Sequence, residues 1–475
     1  MLALCAANAA YLAGMDAAMP AGEACLVAGA GAPLAAMLRR GGVVATTLDE
    51  HPDILRAVGD APLSSGVVLG AAPVVDLLDE RGCDAVLPFK TGARLWEMAE
   101  FQGLRVLASG HRLTRQLENK LALQDIARGA DARIPDTATV RLDDDLARVA
   151  RDGGIALPRV FQPAVGFAGA GTVLLRTAQD VENLVAYPPG GVAVGKLVEY
   201  VDGEPVTVNG AVIPAGVHGA PDDAPVVLVG MVARQLTGLP ALTPTDFGSC
   251  GNDWAQPPAR PRVAALRAMA ARVGEELAQR GFVGAFGIDA MLPADGGVPV
   301  LIEVNPRWTA SLALQVELQS VAGLPTLLDA HLAAFAYHPE QRPSLAALVD
   351  AYGEHEDAAC TRGGIAASTV IAYNATGRDV MIAPDVEPGV WRRALDDDGA
   401  VRIERVRDGW RFADLEQDDE FLLLPHGPVR PVAHGAYLAR VVMRGPAAAD
   451  PQARTLRDDV RALMDCVVAR VERTA

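Results

Sequence analysis

Apolar and polar positions alternate in two rhythms along the chain, and the rhythm changes near residue 110. Through residues 1–110, short apolar runs are followed by stretches of helical spacing. Ala24–Ala28 predicts a strand, Gly29-Ala30-Gly31-Ala32-Pro33 a turn, and Leu34–Arg40 a helix. Val43–Leu48 predicts the next strand, ending at Asp49, and Asp84–Pro88, the helical Ala93–Phe101 and Arg105–Ala108 continue the series. Strands alternating with helices mark a parallel α/β domain. The turn matches a dinucleotide-binding fingerprint only in part, since Leu34 stands where its third glycine belongs. The expectation is a Rossmann-like domain without a bound dinucleotide. Residues 1–22 are mildly apolar, but Asp16 lies among them and no basic residue precedes Arg39. A secretory leader needs a basic start, so the expected location is cytoplasmic.

Beyond residue 110 the pattern is mixed. Leu113–Ala130 predicts a helix containing Glu118-Asn119-Lys120. Gly154–Val173 predicts two extended segments around a glycine-rich turn, and Gly191–Asn209 two more with a turn at Asp202-Gly203. An amphipathic helix over Pro261–Arg280 leads into Val283–Leu292 and Val298–Val304, a hairpin closed by Asp295-Gly296-Gly297. A third region opens in the polar stretch Tyr337–Pro343, with strand-like Ala367–Tyr373, Phe421–Leu424 and Tyr437–Met443 and a final helix over Ala453–Val471. The expected organisation is an α/β and α+β multidomain chain: residues 1–110, 111–340 and 341–475.

Length agrees, because 475 residues exceed what one hydrophobic core serves. The net charge of −17 repels phosphate backbones and excludes a nucleic-acid binder or a basic membrane-surface protein. No apolar run is long enough for a membrane span. Cys5, Cys25, Cys83, Cys250, Cys360 and Cys466 are scattered, which suits neither a zinc site nor a disulfide framework. Lys90, Lys120 and Lys196 are the only lysines against 42 basic residues in all, so each retained lysine marks a candidate place for a compact ammonium.

The densest chemistry lies in Gly284-Ala285-Phe286-Gly287-Ile288-Asp289 and Leu301-Ile302-Glu303-Val304-Asn305-Pro306-Arg307. Glu303 and Asn305 are two apart and project from one face of a strand. Hairpin pairing can bring Asp289 opposite them. Two carboxylates and an amide oxygen make a hard-cation site suited to Mg²⁺, which takes further ligands from phosphates and water. Arg307 follows on the same side.

These residues resemble the metal-binding hairpin of the ATP-grasp superfamily of carboxylate–amine ligases, and the resemblance extends over about Arg112–Ala334. It implies an ATP-grasp core in residues 111–340, with nucleotide held between two α+β lobes, a Rossmann-like domain before it and a mixed α+β region after it. It implies that Asp289, Glu303 and Asn305 hold Mg²⁺ bridging the ATP phosphates and that Arg307 lies near an acyl phosphate. Lys120 matches the first nucleotide lysine of the superfamily. Val160–Ala164 followed by Gly166, Gly169 and Gly171 resembles its strand and phosphate-covering loop. Gln162 stands where the superfamily usually has lysine; Lys196, on the strand before the hinge, is the candidate replacement. Leu197–Gly203 resembles the adenine-reading hinge, which assigns Glu199, Tyr200 and Val201 to the nucleotide. The usual ribose acid falls on Pro205, which makes neighbouring Glu204 the candidate. Asn209 and Arg234 complete the set, Arg234 for phosphate or acyl-phosphate oxygens.

The implied activity is ATP-dependent amide or peptide bond formation through an acyl phosphate, releasing ADP and phosphate. Expected partners are a small-molecule acid and an amine or peptide, with a homodimer as the assembly and neither nucleic acid nor membrane. Within the superfamily the chain resembles peptide ligases of the pheganomycin type and tyramine–glutamate ligases. A biotin-carboxylase-like enzyme and a weakly active ATP-binding scaffold are the alternatives.

Overall fold

The computed structural model describes residues 1–20, 22–59, 62–119, 122–163, 171–353, 366–395, 400–427 and 429–473. Lys120, Gly166 and Gly169 lie outside them.

Five parallel strands open the chain: β1 (Leu2–Asn8), β2 (Ala24–Ala30), β3 (Val44–Thr47), β4 (Ala85–Pro88) and β5 (Arg105–Val106), in the order β3-β2-β1-β4-β5. β1 is the central strand, an element missing from the sequence reading. It is buried along nearly its whole length, as a strand covered on both faces must be. After β2, Gly31 adopts φ +116° and lets the helix α1 (Ala32–Arg40) start against Ala9, whose Cβ would lie 2.9 Å from a Cβ at Gly31. The Asp49 carboxylate accepts from Gly31 N–H (2.9 Å) and Ala32 N–H (3.2 Å). The anion position at this helix N-terminus is therefore filled by the chain itself.

A four-stranded antiparallel sheet follows: β6 (Thr137–Arg141), β7 (Arg159–Pro163), β8 (Val173–Leu175) and β9 (Val194–Glu199), ordered β6-β9-β7-β8. The third sheet has ten strands. They are β10 (Gly203–Ile213), β11 (Val226–Thr237), β12 (Ser249–Asp253), β13 (Gly284–Pro293), β14 (Val300–Asn305), β15 (Ala367–Tyr373), β17 (Gly389–Leu395), β18 (Val401–Arg407), β19 (Glu420–Pro425) and β20 (Tyr437–Arg444). Short β16 (Met381–Ile382) and β21 (Glu472–Arg473) pair separately. The ten-stranded order is β14-β13-β10-β11-β12-β15-β20-β19-β17-β18, so it runs without a break across residue 340. Helix Arg260–Gln279 packs its apolar stripe, including Leu266, Val273 and Leu277, under β10, β11 and β13. On the opposite face, Leu312 and Leu328 from helices Leu312–Val321 and Leu327–Ala334 join one core with Leu2, Leu4 and Leu26 of the parallel sheet.

Two sequence expectations change. Leu113–Ala130 is two helices, His111–Leu117 and Leu123–Gly129, with Glu118 turned out at the break toward Arg307. Gly191–Asn209 holds the two expected extended segments, in β9 and β10, which belong to different sheets and are linked by Tyr200–Asp202. The last helix starts at Asp458, because Ala453 sits at φ +52°, a left-handed conformation that a helix interior excludes. Among the described residues, no helix is long and apolar enough to cross a membrane.

Candidate active site

Strand register assembles the site. Thr207 on β10 pairs with Asp289 on β13, and Asp289 with Glu303 on β14. One step along, Asn209 pairs with Gly287, and Gly287 with Asn305. Alternation sends these side chains to one face, while Val206, Val208, Ile288 and Val304 enter the core on the other. Gly287 is required between Asn209 and Thr309: a Cβ there would lie 2.8 Å from Asn209 Oδ1 and 2.7 Å from Thr309 Cγ2.

The polar row is closely tied. Thr207 Oγ1 donates to Asp289 Oδ1 (2.7 Å), Gln235 Nε2 to the same oxygen (3.2 Å), and Asn305 Nδ2 to Asp289 Oδ2 (3.2 Å). Burial, then the charge of Glu303, pushes the Asp289 carboxyl up to about 6. Arg307 donates through Nε to Glu118 Oε1 (2.7 Å) and through Nη2 to Asn305 Oδ1 (3.0 Å). Lys90 Nζ lies 3.7 Å from Glu118 Oε1; burial and then Arg307 lower the lysine's pKa, while Glu118 opposes them. Among the described residues no three Asp, Glu, His or Cys side chains converge as a metal cluster, so the donor set is the two carboxylates with an amide.

A cavity of about 260 Å³ opens over this row. It is lined by Asp289, Glu303, Asn305 and Arg307, by Gln162 from the four-stranded sheet, and by an apolar wall that includes Tyr11, Phe89 and Tyr373. Lys196 is the direct cross-strand partner of Gln162 and is buried. Gly171, at φ +76°, sits against Pro163, whose Cγ would lie 3.1 Å from an added Cβ. Glu199 ends β9 and accepts from Asp136 N–H (3.2 Å). Tyr200 and Val201 lie in the link to β10; Arg454 donates to the Tyr200 hydroxyl (3.1 Å) and pairs with Asp202. Asn209 does not line the cavity. It holds Thr309 and Ser311 from beneath, accepting from Thr309 Oγ1 (2.8 Å) and donating to Ser311 Oγ (3.0 Å) and Gln315 Oε1 (2.9 Å).

Two expected site residues face the wrong way. Arg234 pairs with Val206 and Glu204 alternates with Pro205, so both project to the helix-covered face. There Glu204 binds Arg234 (3.1 Å) and Arg262 (2.5 Å) in a largely buried ion trio. Gln235, one residue on, is the side chain that reaches Asp289. Glu118, Thr207 and Gln235 were not singled out for the site from sequence. Strand parity would have found Thr207 and Gln235 once the register was known; nothing local marks Glu118.

No protein-family model and no curated protein matches the chain. Solved structures do. The biotin carboxylase domain of 2-oxoglutarate carboxylase from Hydrogenobacter thermophilus, solved with MgADP, ADP and bicarbonate, superimposes with a TM-score of 0.54 at 13% identity, covering 94% of this chain and 86% of that one. L-amino acid ligase from Bacillus licheniformis gives 0.53 at 10% identity, covering 100% and 98%. Biotin carboxylase from Campylobacter jejuni gives 0.51 at 12% identity, covering 94% and 90%. These are ATP-grasp enzymes, and the chain has their fold.

Proposed function

We propose that the protein is an ATP-dependent ligase that activates a substrate carboxylate as an acyl phosphate and joins it to an amine. The observation that carries this reading is the row Asp289–Glu303–Asn305–Arg307 facing a cavity that Gln162 closes from a separate sheet. The MgADP and bicarbonate of the Hydrogenobacter structure and the amino-acid ligase activity named for the Bacillus protein support it.

The residues fit Mg²⁺. Asp289 and Glu303 are cross-strand neighbours; burial first, and then the Glu303 charge, raise the Asp289 pKa, a cost that a divalent cation relieves, and all three donors are hard oxygens. When bound, the cation would neutralise phosphate charge, the main service phosphoryl transfer requires. The substrate carboxylate attacks the γ-phosphorus and ADP leaves; the amine then attacks the acyl carbon, loses a proton and expels phosphate. Arg307, held by Glu118 and Asn305, orients a fixed fork toward the transferring group. Gln162 and Lys196, on the facing sheet, are proposed phosphate contacts.

The test is product analysis with acids and amines supplied in pairs. ADP and phosphate formed only when both are present support the ligase. AMP and pyrophosphate would falsify the acyl-phosphate route. Turnover needing bicarbonate and biotin selects a carboxylase, and no turnover with any pair selects a scaffold. Glu303→Gln should cut ADP release by about a hundredfold or more, while thermal unfolding is unchanged.

A further inference from the structure

The cavity has two ends of different chemistry. One is the polar row. The other is walled by Tyr11, Phe89, Phe247, Ile371 and Tyr373. Tyr11 and Phe89 stack with ring centroids 4.7 Å apart and planes 13° apart, and Tyr437 leans on Tyr11 from behind at 5.6 Å.

The wall is held firmly by backbone. Tyr11 ends a single helical turn capped by Asn8, whose Oδ1 accepts from Ala10 N–H (2.9 Å). Phe89 directly follows β4, its N–H donating to Cys5 O (2.8 Å). Ile371 and Tyr373 are two apart on β15 and share a face. The Tyr437 hydroxyl donates to Leu424 O (2.5 Å), so its ring is fixed behind Tyr11. Glu118, Asp289, Glu303 and Arg307 are the charged residues lining the cavity among those described, and all belong to the polar end. Behind this wall the buried Arg440 pairs across strands with Ile371 and donates through Nη1 to Ala10 O (3.2 Å) without lining the cavity, so a basic side chain entering the aromatic end would lose its hydration and meet a like charge. A flat ring gains area and stacking there.

We propose that the aromatic end is a side-chain subsite, and that one of the two substrates joined is an aromatic amino acid or a peptide carrying one, its reacting end turned toward Arg307. The proposal takes its reaction from the ligase reading and names the substrate class of the same cavity. It also gives residues 341–475 a part in selection, through Ile371 and Tyr373. A purine ring could occupy the same wall, and the test separates the two.

The full chain is assayed for ADP release with Mg²⁺ and ATP against L-phenylalanine, L-tyrosine, L-tryptophan, L-alanine, L-glutamate and L-lysine in pairs. In parallel, saturation-transfer NMR follows the ring protons of L-phenylalanine. Aromatic substrates should exceed alanine and glutamate in kcat/KM by more than about tenfold. Tyr373→Ala and Phe247→Ala, at half-buried positions that can be cut without emptying the core, should raise KM for the aromatic substrate about tenfold. They should move KM for ATP by less than about twofold and abolish ring saturation. Turnover that favours small or charged acids, or variants that raise KM for ATP instead, overturns the subsite and leaves the ligase reading standing. Ring saturation lost in the variants, with no ADP release from any pair, keeps the subsite and removes the ligase reading. If neither turnover nor saturation is seen, both fall.

Discussion

His331 shows how one side chain joins two sheets. Its Nδ1 accepts from Ala285 N–H at the start of β13 (2.9 Å), and its Nε2–H donates to Leu107 O just after β5 (3.0 Å). The ring is buried between Trp308 and Phe335. That pattern needs the neutral imidazole, because a proton on Nδ1 would face the Ala285 N–H. Burial accordingly lowers the pKa from 6.5 to about 4. The unfolded chain therefore binds a proton near pH 6.5 that the folded protein refuses until about pH 4, and stability falls as pH drops through that window. The linkage is worth on the order of 3 kcal/mol across the interval. His331→Gln keeps one donor and one acceptor but does not titrate. Its melting temperature should depend less steeply on pH between about 6.5 and 4 than that of the parent protein, as calorimetry would show; parallel curves would place the proton elsewhere.

At the scale of elements, the β13–β14 hairpin and the β7–β9 pair carry the site, and they differ in how readily sequence reveals them. The hairpin was legible because Ile288, Ile302 and Val304 alternate with the polar row, and because Asp295 caps a Gly296 turn at φ +80°, donating nothing but accepting from Gly297 N–H (2.9 Å). β1 was not legible: Leu2–Asn8 is rich in alanine, low in β-branched residues, and becomes a strand only through its neighbours β2 and β4. Arg234 and Glu204 turn away from the cavity, which the sequence does not show, because pairing register decides which face a residue takes, and register is a property of three strands together. The β7–β9 pair yields a sharp expectation. Gln162 and Lys196 are direct partners, so an ammonium on either strand reaches nearly the same place. A charge-assisted contact contributes about 1.5–3 kcal/mol. Lys196→Ala should therefore weaken ATP binding or turnover by roughly ten- to a hundredfold, and adding Gln162→Lys should restore part of the loss. A change under about twofold for Lys196→Ala, the scale of an ordinary surface substitution, would leave Lys120 and Arg307 as the main phosphate cations and sink the replacement idea.

For the molecule as a whole, the ten-stranded sheet joins residues 341–475 to the proposed catalytic strands by continuous strand pairing. The expectation of a separate region after 340 came from the polar stretch around Tyr337–Pro343, a local signal, whereas the pairing of β12 with β15 joins residues more than a hundred positions apart and leaves no local trace. Gly251, Asn252 and Asp253 pair with Val370, Thr369 and Ser368. Asp253 is fully buried, and its Oδ2 accepts from Ala447 N–H (2.8 Å) and Ala448 N–H (3.0 Å). A chain ending at residue 340 would leave the short strand β12 as an unpaired edge and take Ala447 N–H and Ala448 N–H from Asp253 Oδ2, while Asp253 Oδ1 keeps Ala255 N–H (2.9 Å) and Gln256 N–H (3.3 Å). It would also strip Val370, Val441 and Leu422 from β-strand cores that Leu236, Cys250 and Met231 share, and remove Ile371 and Tyr373 from the cavity. Marginal net stability cannot absorb losses of that size. The 1–340 fragment should therefore express as aggregate, or bind a hydrophobic dye and melt without a cooperative transition. A monomeric fragment that unfolds cooperatively within a few degrees of the full chain would show instead that the sheet crosses a boundary between independent folding units.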